Sequence, residues 1–205
     1  HEIAFGSFMG EWQALQANTP NAMPAIGVIN FDAHLDLRQD QYATSGTPFR
    51  QIAEWVNANH SSFHYLCIGV SEFANTAALF DRAEELGVRV ISEYECYPLG
   101  WSTIESKLRA FLDSVDVVYL TVDMDCLSAS VMPAVSAVAA KGLSLDFVER
   151  CANHIIASGK VRLMDMAEVN PTYDIDGRGL KVSARLLAAM IGQWLLTKNR
   201  PIAAN

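Results

Sequence analysis

Asp32, His34 and Asp36 stand at alternate positions in "VINFDAHLDLR", residues 28 to 38, directly after an apolar, strand-like run. Asp123 and Asp125 repeat the alternation in "VYLTVDMD", residues 118 to 125, after a second such run. Acids beside apolar strands are costly, because desolvation and mutual repulsion both oppose their ionisation. In extended backbone, residues two apart point the same way. Asp32, His34 and Asp36 are therefore expected on one face, and Asp123 with Asp125 on another. Carboxylates converging from both runs would repel one another strongly unless cations neutralised them, and two divalent ions would balance the four acids. A ligand set of carboxylates with a little imidazole and no thiolate suits manganese or magnesium, with zinc or iron as alternatives. Two such ions sharing a water lower its pKa and favour hydrolysis near neutral pH. Alone, D-x-H-x-D also reads as a solvated loop with a salt network; a D-x-D ending a second buried run weighs against that.

These side chains need a scaffold that delivers them to one place. Apolar, β-branched runs predict strands over 25 to 31, 63 to 70, 88 to 91, 115 to 122 and 160 to 169. Helix-like segments alternate with them, over 47 to 59, 75 to 87, 103 to 114, 144 to 159 and 182 to 196, two of them ending at Gly87 and Gly159. Continuously apolar strands alternating with helices predict a mainly parallel sheet covered on both faces, a three-layer α/β/α architecture. With no repeat and no Pro/Gly/Ser linker, residues 1 to 205 read as a single domain. Sites in such sheets lie at the carboxyl ends of strands. That is where "DAHLD", "DMD" and "EVNP", which carries Glu168, fall in this sequence.

Composition narrows the field further. A hydrophobic fraction of 51% and a charged fraction of 19% are those of an ordinary globular chain. A formal net charge of -8 argues against a nucleic-acid or anionic-membrane surface, and no apolar stretch is long enough to span a bilayer. Cys67, Cys96, Cys126 and Cys151 lie far apart with no C-x-x-C pair, as expected of reduced thiols in a cytoplasmic protein. Cys126 reads as a small packed residue and not a nucleophile. The terminal apolar helix "LLAAMIGQWLL" reads as domain packing.

In order and spacing, "FDAHLD", "VDMD" and "AEVNP" resemble the ureohydrolase superfamily of arginases, agmatinases and formimidoylglutamases, and "HEIAFGSFMG" is similar to its formimidoylglutamase branch. The resemblance runs from His1 to about residue 187. It implies an arginase-like fold with two manganese ions, His1, Asp36, Asp123 and Asp125 holding one of them. It leaves the division of Asp32, His34, Asp36 and Asp123 between the two ions open, since bridging acids serve both. It further implies attack by hydroxide held between the ions, among whose ligands is Asp36, on a guanidino or amidino carbon. Glu168 receives the cationic nitrogen end of the substrate, and the resemblance leaves room for homo-oligomers.

Three departures refine that picture. Where guanidino hydrolases place a histidine before the loop glycine, "TSGTPFRQ" has Ser45, which resembles formimidoylglutamases and cannot shuttle protons as histidine does. Where arginases place a substrate-binding asparagine, this chain has Arg38, whose guanidinium can grip a carboxylate in bidentate fashion or serve as a structural counter-ion. Third, the family normally has further chain before its first metal histidine, so an N-terminal part is expected to be lacking here. "MPAVSAVAAKGLS" also lacks a proline and glycine pair usual in the family, with Val138 and Ala140 in those places. The favoured small-molecule substrate is N-formimidoyl-L-glutamate, split to L-glutamate and formamide in histidine breakdown. The alternatives are a guanidino hydrolase of the agmatinase type and a non-catalytic or truncated metal-binding subunit.

Overall fold

The computed structural model describes residues 1–19, 23–97 and 100–199. In chain order the elements are α1 (Ile3–Asn18), β1 (Ile26–Phe31), α2 (Pro48–Ala58), β2 (His64–Val70), α3 (Ala77–Glu85), β3 (Arg89–Ser92), α4 (Glu93–Cys96), α5 (Trp101–Leu112), β4 (Val117–Asp123), α6 (Leu145–Ala157), β5 (Val161–Ala167) and α7 (Arg178–Lys198). The five strands pair in parallel in the order β3-β2-β1-β4-β5. The chain winds outward from β1 to β3, then returns to the other side of β1 for β4 and β5. The switch point therefore lies between β1 and β4, where open parallel sheets leave a crevice at their carboxyl ends.

Alternation along each strand divides the core between two faces. Ile29 and Phe31 pack with Leu66, Ile68, Ile104 and Phe111 on one side. Val28 packs with Phe8, Trp12, Phe49 and Tyr65 on the other. Both faces are thus covered, which is the three-layer α/β/α arrangement expected from the continuously apolar strands. Gly87 and Gly159 both take positive φ, at 67° and 77°, and end α3 and α6 as the sequence suggests.

Two features depart from expectation. The segment 3–18 folds as a helix, α1, that buries Ala4, Phe8, Trp12 and Leu15. Gly6 and Gly10 and a surface without a polar face hide it, although those four residues keep helical spacing. The terminal helix α7 buries Gly179, Ser183, Leu186 and Met190 but leaves Leu180, Leu187, Ile191 and Leu195 at least 40% exposed. Packing within the described residues uses only one of its apolar faces. No described helix is long and apolar enough to cross a membrane.

The excursion between β4 and α6 is pinned at its far end. Gly142 holds φ at 54°, and a Cβ there would meet the Leu127 carbonyl carbon at 2.5 Å and Ser128 Cα at 2.7 Å. Leu143 N donates to Cys126 O at 2.7 Å, and Ser128 N to Leu143 O at 3.1 Å. Because the obstacles are backbone atoms, Gly142→Ala should destabilise the chain by about 3 kcal/mol, combining left-handed strain with overpacking. Thermal unfolding of the purified variant checks this; an unchanged Tm would show that the excursion yields easily.

Candidate metal centre

Phe31 pairs with Val122, so the next residues of β1 and β4, Asp32 and Asp123, emerge side by side. The strand β1 ends there. Asp32 Oδ1 accepts the His34 amide at 2.7 Å, turning the chain, and Asp36 takes φ 51°. Asp123 Oδ1 likewise accepts the Asp125 amide at 2.9 Å and starts a short 3-10 turn. The acids therefore converge through turns, and the extended alternation expected from the sequence does not extend past the strand ends. The turn also corrects one grouping. Asp125 swings away from Asp123 and joins Asp32 and His34, leaving His1, Asp32, Asp36 and Asp123 as the other group.

Each group has the spacing of a ligand shell. His1 Nδ1 lies 3.3 Å from Asp32 Oδ2, 3.3 Å from Asp36 Oδ2 and 3.2 Å from Asp123 Oδ2. His34 Nδ1 lies 3.4 Å from Asp32 Oδ1 and 3.0 Å from Asp125 Oδ2. Atoms bound to one ion at about 2.1 Å sit roughly 3.0 to 3.5 Å from one another. Despite that closeness, His1 Nδ1 and Asp36 Oδ2 are buried without a hydrogen-bond partner. A proton on Nδ1 points at one oxygen at most, whereas a spherical cation serves all of them. The donor set fits a divalent metal.

The far side of His1 fixes its tautomer. Its Nε2 lies 2.9 Å from Thr121 Oγ1, while the Thr121 hydroxyl donates to Asp165 Oδ1 at 2.5 Å. With that hydrogen committed, Thr121 accepts from Nε2–H, which leaves Nδ1 facing the acid group as the nitrogen that would ligate a metal. Tyr119 donates to the other Asp165 oxygen at 2.5 Å, and Phe49 stands edge-on to the His1 ring at 5.2 Å. Asn30 donates to Asp32 Oδ2 at 2.9 Å, and Asn75 holds both Leu35 N and Ala33 O. Sequence reasoning missed Thr121, Asp165, Asn30 and Asn75. Inward polar residues in otherwise apolar strands were the available signal for the first three.

Glu168, at the end of edge strand β5, takes φ 65° and accepts a contact from the His1 backbone nitrogen. With Arg38, Ser45 and Gly46 it lines a cleft of about 110 Å³ over the acids. Arg38 also borders a larger groove of about 680 Å³. Among the described residues its guanidinium pairs with no acid, so a counter-ion role there has no partner. Arg50 pairs with Glu54, and Arg178 donates to Ser130 O. Cys126 is fully buried with its thiol pushed far up by burial, in keeping with a packed residue.

Without metal, Asp36, Asp123 and Asp125 are shifted toward holding protons. Burial and the Asp32 charge raise Asp36 to about 7 and Asp125 to about 9. Burial also raises Asp123, with Asp32 adding to it. For Asp32 burial acts the same way, but His1 and His34 overcome it and hold the carboxyl below its ordinary range. Hydrogen bonding to Asp125 and Asp32 lifts His34 to about 11. Burial opposes charge on His1, yet Asp123, Asp32 and Asp36 raise it well above an ordinary imidazole.

The fold and these clusters define an α/β protein with a candidate divalent-metal centre at the sheet's switch point. The chain belongs to the arginase family, whose profile matches residues 1–195. It is 58% identical over 200 residues to the formimidoylglutamase of Psychrobacter cryohalolentis, covering 96% of this chain and 58% of that one. With the formimidoylglutamase of Chromobacterium violaceum it shares 50% identity over 91% of this chain and 58% of the relative. Among solved structures, formimidoylglutamase from Bacillus subtilis superposes with a TM-score of 0.78 at 26% identity, over 91% of this chain and 58% of that chain. Arginase from Bacillus caldovelox, at 21% identity, shares the fold with a TM-score of 0.78, over 94% of this chain and 66% of its own. The chain thus spans less than two thirds of the length of these curated relatives.

Metal ligands must be deprotonated, so uptake should displace the protons on Asp36, Asp125 and the imidazoles. Affinity for Mn²⁺ should accordingly rise with pH, steeply through the region from about 7 to about 9 where Asp36 and Asp125 titrate. Calorimetry in two buffers of different ionisation enthalpy measures the released protons. Heats independent of buffer would mean that the acids are already ionised before the metal arrives.

Proposed function

We propose that residues 1–205 form a metallohydrolase domain that converts N-formimidoyl-L-glutamate and water to L-glutamate and formamide in the cytoplasm. The observation that carries this reading is Arg38, a free guanidinium at the mouth of the acid-lined cleft, where an anionic substrate can meet it. The relatives named formimidoylglutamase support it, as does Ser45 on the cleft wall. An agmatine-like substrate has no carboxylate for Arg38 to grip.

In this reading His1, Asp32, Asp36 and Asp123 hold one manganese ion, and Asp32, His34 and Asp125 the other. When bound, the pair supplies Lewis acidity and a water acidic enough to act as nucleophile near neutral pH. The chain's own residues do the rest. Glu168 receives the amidinium end of the substrate and directs its carbon over the acids. Asp36, on a backbone held at positive φ, orients the nucleophile between the two groups. Arg38 binds the carboxylate next to the amidine nitrogen, and Thr121 with Asp165 keeps His1 in the ligating tautomer.

Incubation of the manganese-loaded chain with N-formimidoyl-L-glutamate, agmatine and arginine should release product from the first alone, and chelation should abolish it. Release of urea from agmatine would move the assignment to the guanidino hydrolases.

Gly46 is part of the Arg38 seat. A Cβ on it would meet Arg38 Cδ at 2.9 Å and Nε at 3.0 Å, and its carbonyl accepts the Arg38 amide at 3.0 Å. Arg38→Ala should raise KM by about 10- to 100-fold, the worth of a charge-assisted contact, while manganese content stays at the wild-type level. Gly46→Ala should push the guanidinium aside and move KM in the same direction by less. An unaltered KM in Arg38→Ala would remove the arginine from substrate binding.

A further inference from the structure

We propose that Lys141 binds the distal carboxylate of the substrate, in a hollow that continues from the metal cleft past His34. This assignment rests on the formimidoylglutamate reading above. The cleft over the acids is small, at about 110 Å³. The amidine end and its adjacent carboxylate fill it. The rest of a glutamate side chain must lie elsewhere.

A second hollow of about 460 Å³ opens from the same wall, sharing His34 and Ala137 with the cleft. Among the described residues, Lys141 is the one lysine or arginine that lines it. Its ammonium rests 3.6 Å above the Tyr94 ring centroid and 5.4 Å from that of Tyr97, a cation–π seat that limits an otherwise mobile side chain. The backbone beneath is equally fixed. Tyr97 donates its hydroxyl to Gly142 O, and Ala129 N donates to Ala139 O at 2.8 Å. Phe73 and Val138, 85% and 55% exposed, border the hollow and offer apolar surface for the two methylenes of a glutamate chain.

The one acid in the hollow does not compete for this role. Glu93 is only 3% exposed and accepts the Ser71 hydroxyl at 3.0 Å, so an incoming carboxylate meets Lys141 at the rim and not Glu93 at the base. The division of labour follows from the substrate's chemistry. Its proximal carboxylate sits beside the amidine nitrogen and falls to Arg38, while the distal one extends two methylenes further and falls to Lys141.

Binding of two non-hydrolysed probes to the manganese-loaded chain tests this by calorimetry. N-formyl-L-glutamate, the oxygen isostere of the substrate, carries both carboxylates, and N-formylglycine carries only the proximal one. Lys141→Gln should weaken N-formyl-L-glutamate by about 10-fold or more and leave N-formylglycine unchanged, and Lys141→Arg should restore most of the loss. Equal losses on both probes, or no loss on either, would overturn the assignment. If the wild-type, metal-loaded chain binds neither probe, the formimidoylglutamate reading itself fails and takes Lys141 with it.

Discussion

Four carboxylates from two adjacent strand ends are pressed together where solvent cannot separate their charges. Asp32, Asp36, Asp123 and Asp125 are each no more than 7% exposed, and all lie against His1 or His34. In a medium of low dielectric such a cluster cannot ionise fully without added positive charge. Protons on Asp36, Asp125 and the imidazoles supply that charge in the metal-free chain, but imperfectly. They leave His1 Nδ1 and Asp36 Oδ2 unsatisfied, a costly state for buried polar atoms. The same constraint explains why the cluster sits at the switch point. Only there do two neighbouring parallel strands end with free space above them for acids from both.

Holding the cluster in place falls to groups that never enter it. Thr121 and Asp165 face His1 from β4 and β5, so the orientation of one imidazole depends on the register between those strands. Asn75 ties the loop after β1 to the loop after β2 through Leu35 and Ala33. Asp36 and Glu168 are held at φ 51° and 65°, conformations that side-chain-bearing residues adopt at a cost. That strain sits at the two positions that the proposed chemistry uses as orienting groups. A fold that tolerates it there spends part of its stability on the geometry of the site.

The strands were legible because parallel strands buried on both faces leave continuous apolar runs, and their bounds lie within two residues of those read from the sequence. The acids were legible because carboxylates and histidine at apolar strand ends have few cheap structural explanations. Their grouping was not. Asp125 parts from Asp123 because a side chain accepts a backbone amide and turns the chain, and alternate spacing carries no trace of that bond. Supporting residues were hidden for a similar reason. Thr121 and Asp165 read as ordinary strand residues until the register places them against His1. The helix α1 shows the opposite failure, since Ala4, Phe8, Trp12 and Leu15 do carry helical spacing, but Gly6 and Gly10 argue locally against a helix that tertiary packing stabilises.

A substrate with two carboxylates, as proposed above, would pose a problem for a chain of net charge -8 whose candidate metal centre is itself lined with acids. Long-range attraction cannot deliver it, because charges beyond a Debye length of about 8 Å are screened and the overall field has the wrong sign. Recognition must then come from cations at contact range, and their placement decides what binds. Arg38 lines the cleft over the acids, and Lys141 lines the hollow that shares His34 and Ala137 with it. Two cations in adjoining hollows measure, in the proposed reading, the separation of two carboxylates, which neither could do alone. In the proposed reading, the metals neutralise the acids and the two cations neutralise the substrate.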